Sequence, residues 1–148
     1  MDDDGTMGWF HALAAESSDK PSKVFHCCPK SHWNDKGSVY YPKAYDDDKF
    51  THSMHEPHRL MDTMNCFYKG SEEKEWICLE IDRLGLEVAG IEMEMVPAPN
   101  DPELKCPHIF GGIPREAVTK VFPVIRGDDG EFLFVQGLTD TCSGGGEH

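Results

Sequence analysis

Cys106-Pro107-His108-Ile109-Phe110-Gly111-Gly112-Ile113-Pro114 places a histidine between a proline and a short apolar pair, then frees the backbone with two glycines. Proline locks φ and glycine admits backbone angles that other residues avoid, so the pair fixes the direction in which His108 points. Pro114 then suits the first turn of a short helix over residues 114–118. Two further histidines have similar settings, His26 after Val24-Phe25 and His52 after Phe50-Thr51. The expectation is that the imidazoles of His26, His52 and His108 meet in one pocket.

Around that stretch the chain reads as one domain. Its 148 residues are 39% apolar and 28% charged, enough for a single core but not two. The net charge of −13 repels phosphate backbones, and no basic cluster offsets it, so non-specific nucleic-acid binding is not expected. Asp2-Asp3-Asp4 is the reverse of a secretory leader and no apolar run reaches membrane-spanning length, which predicts a soluble, cytoplasmic protein. The six cysteines include no C-x-x-C pair and read as reduced thiols.

Taken in order, residues 1–22 form a peripheral extension with a short helix over 7–15, and residues 138–148 form a Gly-rich disordered tail. A strand is predicted over 23–28, with Val24 and His26 on one face and Phe25 and Cys27 on the other. A helical turn carries Trp33, residues 39–42 are extended, and Asp46-Asp47-Asp48 is a solvated loop. A second short strand ends near His52. Pro57 and Gly70 bracket a helix with Leu60, Met61, Met64, Phe67 and Tyr68 as its core stripe. Strands follow over 75–82 and 86–95 by alternation, a loop over 97–102, and a hairpin of 119–126 and 131–136 around Gly127-Asp128-Asp129-Gly130. The whole is an α+β domain over residues 23–137, with a small split antiparallel or mixed sheet of about six strands and two or three helices.

The ordered set Val24-Phe25-His26, Phe50-Thr51-His52, Asn65-Cys66-Phe67-Tyr68-Lys69-Gly70, Leu79-Glu80-Ile81-Asp82, Pro107-His108-Ile109-Phe110-Gly111 and Asp129-Gly130-Glu131-Phe132 resembles the family called domain of unknown function 952. The resemblance implies a fold related to the ADP-ribosyltransferases and the NAD-dependent RNA 2′-phosphotransferases, with His26, His52 and His108 on the family's recurrent polar positions. Family members often carry Ser-Thr-Pro after the second histidine; here Ser53-Met54-His55-Glu56-Pro57 intervenes, leaving Ser53 as the candidate phosphate-holding hydroxyl.

ADP-ribosyl chemistry passes through an oxocarbenium-like state and needs a donor to hold the ribose hydroxyls, a stacking aromatic and a carboxylate. His26 is the candidate for the first role, Tyr40 or Tyr41 for the second, and Glu92 or Glu80 for the third, with Glu92 preferred. The leading expectation is an enzyme acting on a nucleotide or related small molecule by ADP-ribosyl or phosphoryl transfer, with NAD as candidate cofactor. The runner-up is a His-ligated zinc enzyme, since three imidazoles with an open position make a catalytic zinc site. No metal ligand set is assigned, and His52, His55 and His58 read as surface histidines because Pro57 breaks their common helical face. A third reading is a non-catalytic module for a small molecule or a partner, and a weaker one makes Cys27 or Cys106 a nucleophile. Oligomeric state is left open.

Overall fold

The structure, a computed structural model, describes residues 20–33, 37–98 and 101–140. The helix expected over 7–15 and most of the tail lie outside these residues.

Short apolar strands with helical turns between them run β1 (Lys23–Pro29), α1 (Lys30–Trp33), β2 (Val39–Tyr40), α2 (Tyr45–Asp48), β3 (Thr51–His52) and α3 (Leu60–Tyr68). They continue with β4 (Trp76–Asp82), α4 (Arg83–Val88), β5 (Glu92–Ala98), β6 (Asp101–Phe110), β7 (Ile113–Pro114), β8 (Val118–Arg126) and β9 (Phe132–Val135). The described residues thus hold nine strands rather than about six, in an α+β arrangement with four α-helical segments, two of them single turns.

All strand pairing is antiparallel. One sheet runs β1-β4-β8-β9, a second β3-β6-β5, and β2 pairs with β7. The two larger sheets touch through a single rung, where Phe25 and Met54 exchange both backbone hydrogen bonds at 2.7 and 2.9 Å. The next rung of a continuing ladder would join Cys27 to His52. There the ladder stops, and the His26 ring takes the His52 carbonyl instead, at 2.6 Å. The sheet is split at this seam.

Period-two alternation explains the core. Val24, Cys28, Ile77, Leu79 and Ile81 pack on one side with Leu86, Met93, Ile109 and Ile113. Phe25, Cys27, Cys78 and Phe132 pack on the other with Leu60 and Met64 of α3. Within α3 the expected stripe is buried only in part: Leu60 and Met64 are covered, but Phe67 is 71% exposed. Asn65 ties α3 to β9 by bonding both the backbone N–H (2.7 Å) and the carbonyl (3.0 Å) of Phe132.

Two segments depart from the expected elements. Residues 86–91 alternate like a strand, yet 83–88 form α4, which buries Leu86 and seats Gly85 against Ala117, where a Cβ would come within 3.0 Å. The helix ends at Ala89, and Gly90 at φ +80° turns the chain into β5. Residues expected as a loop with a turn become the long β5–β6 hairpin, although Pro97, Pro102 and Pro107 lie within it. Asp46-Asp47-Asp48 belongs to the helical turn α2 rather than to a loop.

Candidate functional site

At the seam β1 and β3 part, and two hollows open beside them. The larger, about 400 Å³, is bordered by Phe25, Met54, Leu60, Met64 and Phe67 together with Asp48 and Ser53. The smaller, about 230 Å³, is bordered by Tyr40, His32, Lys43, Phe50, Glu73 and Trp76. His26, Cys27, His52 and Tyr68 border both.

His26 is the buried polar centre of this region, at 8% exposure. A carbonyl only accepts, so the 2.6 Å contact to the His52 oxygen assigns the ring proton to Nδ1 and leaves Nε2 as a lone-pair acceptor. That Nε2 is buried and has no hydrogen-bond partner. Burial lowers the His26 pKa to about 4; the bond to the His52 carbonyl opposes the shift and the His52 ring adds slightly to it. His26 is therefore a neutral imidazole at physiological pH.

The His52 ring is 58% exposed and its Nε2 lies 2.9 Å from Asp48 Oδ2, an i,i+4 pair that α2 makes by bringing the acidic run back over β3. His108 is cross-strand from His52 in β6, and their ring centroids are 5.8 Å apart. Its ring stacks on Phe50 at 3.8 Å, and burial followed by the nearby His52 lowers its pKa. It borders neither hollow. The single three-histidine pocket expected from sequence is therefore divided: His26 and His52 border the hollows, while His108 belongs to the outer face of the three-stranded sheet.

The remaining candidates separate in the same way. Tyr40 is buried with its ring 5.8 Å from that of His26, whereas Tyr41 is exposed and packs edge-on against Tyr45. Ser53 borders the larger hollow but commits its hydroxyl proton to the Pro107 carbonyl at 2.7 Å. Glu92 is exposed at the outer strand, opposite Phe110, while Glu94 sits opposite His108. Glu80 accepts from Thr119 Oγ1 at 2.6 Å and sits 3.6 Å from Lys23 Nζ. Cys27 is held as a thiol: its hydrogen bond to Cys78, and then burial, push its pKa well up, which removes the nucleophilic thiolate. Burial likewise raises Cys28 to about 12 and raises Cys106. Among the described residues no three His, Cys, Asp or Glu side chains group as a metal site would require.

Sequence reasoning passed over Asp48, Phe50 and Tyr68. Asp48 was hidden inside a run of acids that reads as solvated, and its i,i+4 spacing to His52 was the available signal. The two aromatics carry no pattern that separates a cleft wall from a core.

These features define an α+β domain with a split antiparallel sheet and a histidine at the split. The family model described as "Protein of unknown function (DUF952)" matches residues 27–121, most of the domain, and the chain belongs to that family. Among solved structures it is similar to protein CC0527 from Caulobacter crescentus, at 14% identity and a TM-score of 0.63, covering 80% of this chain and 96% of that one. A doubly substituted form of the same protein matches with a TM-score of 0.62 at the same identity and coverage. At that identity the likeness is one of fold. None of the curated proteins matches the chain. No described helix is long and apolar enough to cross a membrane.

Proposed function

We propose that this domain is a small enzyme that binds a nucleotide or related small molecule in the hollows at the split, with ADP-ribosyltransferase-like chemistry on NAD as the leading reaction. One observation carries the reading. A buried neutral imidazole with an unpartnered Nε2 borders both hollows, and an unmade hydrogen bond of this kind costs about 1–3 kcal/mol unless something supplies the donor. The larger hollow falls within the roughly 300–1,000 Å³ range of small-molecule sites.

On this reading the roles divide differently from those expected. With its Nδ1 proton given to the His52 carbonyl, His26 accepts a ribose O–H rather than donating to it. Tyr40 is the aromatic in reach of the bound molecule, and Ser53 offers oxygen lone pairs at the wall of the larger hollow. Asp48 is the carboxylate bordering the larger hollow, paired with His52 at the rim, with His108 and Glu92 on the adjoining face. The displacement of Glu92 from the hollows favours a second reading, binding without turnover.

Calorimetry of the full chain with NAD and ADP-ribose, paired with chromatographic detection of released nicotinamide, separates these readings. Binding with nicotinamide release that Asp48→Asn suppresses supports the enzyme. Binding without release supports the module. Absence of binding by either compound removes the nucleotide assignment.

A further inference from the structure

Two cysteines stand face to face across the first pair of strands. The register sets Cys27 of β1 opposite Cys78 of β4. Antiparallel pairs alternate between wide, hydrogen-bonded sites and narrow ones, and the seam tells which kind this is. Phe25 gives both its N–H and its carbonyl to Met54, on the side away from β4, so the backbone groups of Cys27 and Pro29 turn away from β4 too. Pro29, with no N–H to give, fits that phase opposite Trp76. Cys27 and Cys78 are therefore a narrow pair, whose Cα atoms lie about 4.5 Å apart, inside the roughly 4.4–6.8 Å that a disulfide spans. Their side chains are already hydrogen-bonded to each other. No other two cysteines stand opposite each other among the described strands: Cys28 faces Ile77 in the other half of the core, and Cys106 faces Val96.

From this pairing we infer that Cys27 and Cys78 are a site of reversible oxidation, closing a disulfide between β1 and β4 when a small uncharged disulfide enters the hollows. Cys27 borders both hollows while Cys78 is fully buried, which sets the order of events. The Cys27 sulfur, its proton lost to solvent, attacks one sulfur of the small disulfide, breaks its S–S bond and releases one small thiolate. The Cys78 sulfur, deprotonated in turn, attacks the Cys27 sulfur and releases the second. The two thiolates take up the two protons, so two electrons pass from the protein pair to the reagent and two small thiols leave. Phe25, Met54, Leu60 and Met64 around Cys27 admit an uncharged reagent more readily than an ionic one. Burial and the bond to Cys78 keep Cys27 protonated, so the exchange is slow near neutral pH. It is not blocked, because the thiolate fraction of such a thiol grows about tenfold with each pH unit below its pKa. The oxidation alters a wall common to both hollows, whatever molecule they take, and so ties the cleft to the thiol–disulfide balance around it.

The test incubates the folded full chain with bis(2-hydroxyethyl) disulfide at about pH 9, where the exchange is faster, then blocks free thiols with N-ethylmaleimide in mild acid. After trypsin, peptides 24–30 and 75–83 carry the two cysteines. They are expected to appear joined in most chains, two hydrogens lighter than their sum, with fragmentation placing the link on Cys27. The link should persist in Cys28→Ser and disappear with dithiothreitol. Fragmentation of the wild-type pair assigns the sulfur even where that variant does not fold. A Cys27–Cys28 bond, links through Cys28 or Cys66, or reagent left on Cys27 without transfer to Cys78 would each overturn the inference. So would free Cys27 and Cys78 after the exposed Cys66 has reacted.

Discussion

Acid should destabilise this protein, with His26 making a large contribution. The pKa of His26 is about 4 in the folded chain against an ordinary value of 6.5, so between those limits the unfolded chain binds the additional proton. Stability therefore rises with pH across that window, is complete above about pH 6.5, and falls as the pH drops toward 4. At ~1.36 kcal/mol per unit the full shift corresponds to about 3 kcal/mol, of which about 2 kcal/mol is lost by pH 5. Set against the roughly 5–15 kcal/mol that holds a typical domain folded, this is a large share. The comparison variant is His26→Asn, whose amide nitrogen takes the place of Nδ1 and keeps a donor for the His52 carbonyl while removing the titrating group. Urea denaturation at about pH 7 and pH 5 measures both proteins. The wild type should lose about 2 kcal/mol more than the variant over that interval, and NMR should show the His26 ring still neutral at pH 5. Parallel losses in the two proteins, or a His26 midpoint near 6.5, would refute the assignment of a buried neutral imidazole.

Two further outcomes follow from packing and polar contacts. Gly112→Ala would bring a Cβ within 2.6 Å of Val39 Cγ1 and 2.8 Å of the Tyr40 carbonyl, a clash with backbone that should cost about 1–3 kcal/mol and lower Tm by several degrees. Gly70→Ala, with open space around it, is the control that should leave Tm nearly unchanged. Asn65→Ala removes both bonds to the Phe132 backbone and should lower the free energy of unfolding in urea by about 1–3 kcal/mol; an unchanged midpoint would mean that α3 docks on β9 through apolar contact alone.

Much of the fold was legible where the chain obeys one rule at a time. Trp76 to Asp82 alternates cleanly and is β4, and the turn at Gly127 to Gly130 links β8 to β9 as its residues require. Legibility failed where rules collide. Prolines argue against strand, so the β5–β6 hairpin was hidden, although the strands tolerate Pro97 and Pro107. Leu86 to Ile91 alternates like a strand, yet 83–88 is helical, and its seat on Ala117 through Gly85 is a contact between distant residues that the local pattern does not carry. At the site, the histidines were recognisable but their relation was not. The parting of β1 and β3 beyond the single Phe25–Met54 rung leaves His26 buried at the seam, while His108 lies in β6 beside His52 and borders neither hollow.

The position of β5 at the rim of its sheet has a consequence for how copies of the chain behave when concentrated. A second molecule adding a strand there would lay its own Glu92 and Glu94 near the same acids and would find no amide donor at Pro97. Like-charge repulsion and a missing donor together discourage strand-by-strand growth into fibrils, so the most extensive hairpin of the molecule is also guarded against polymerising.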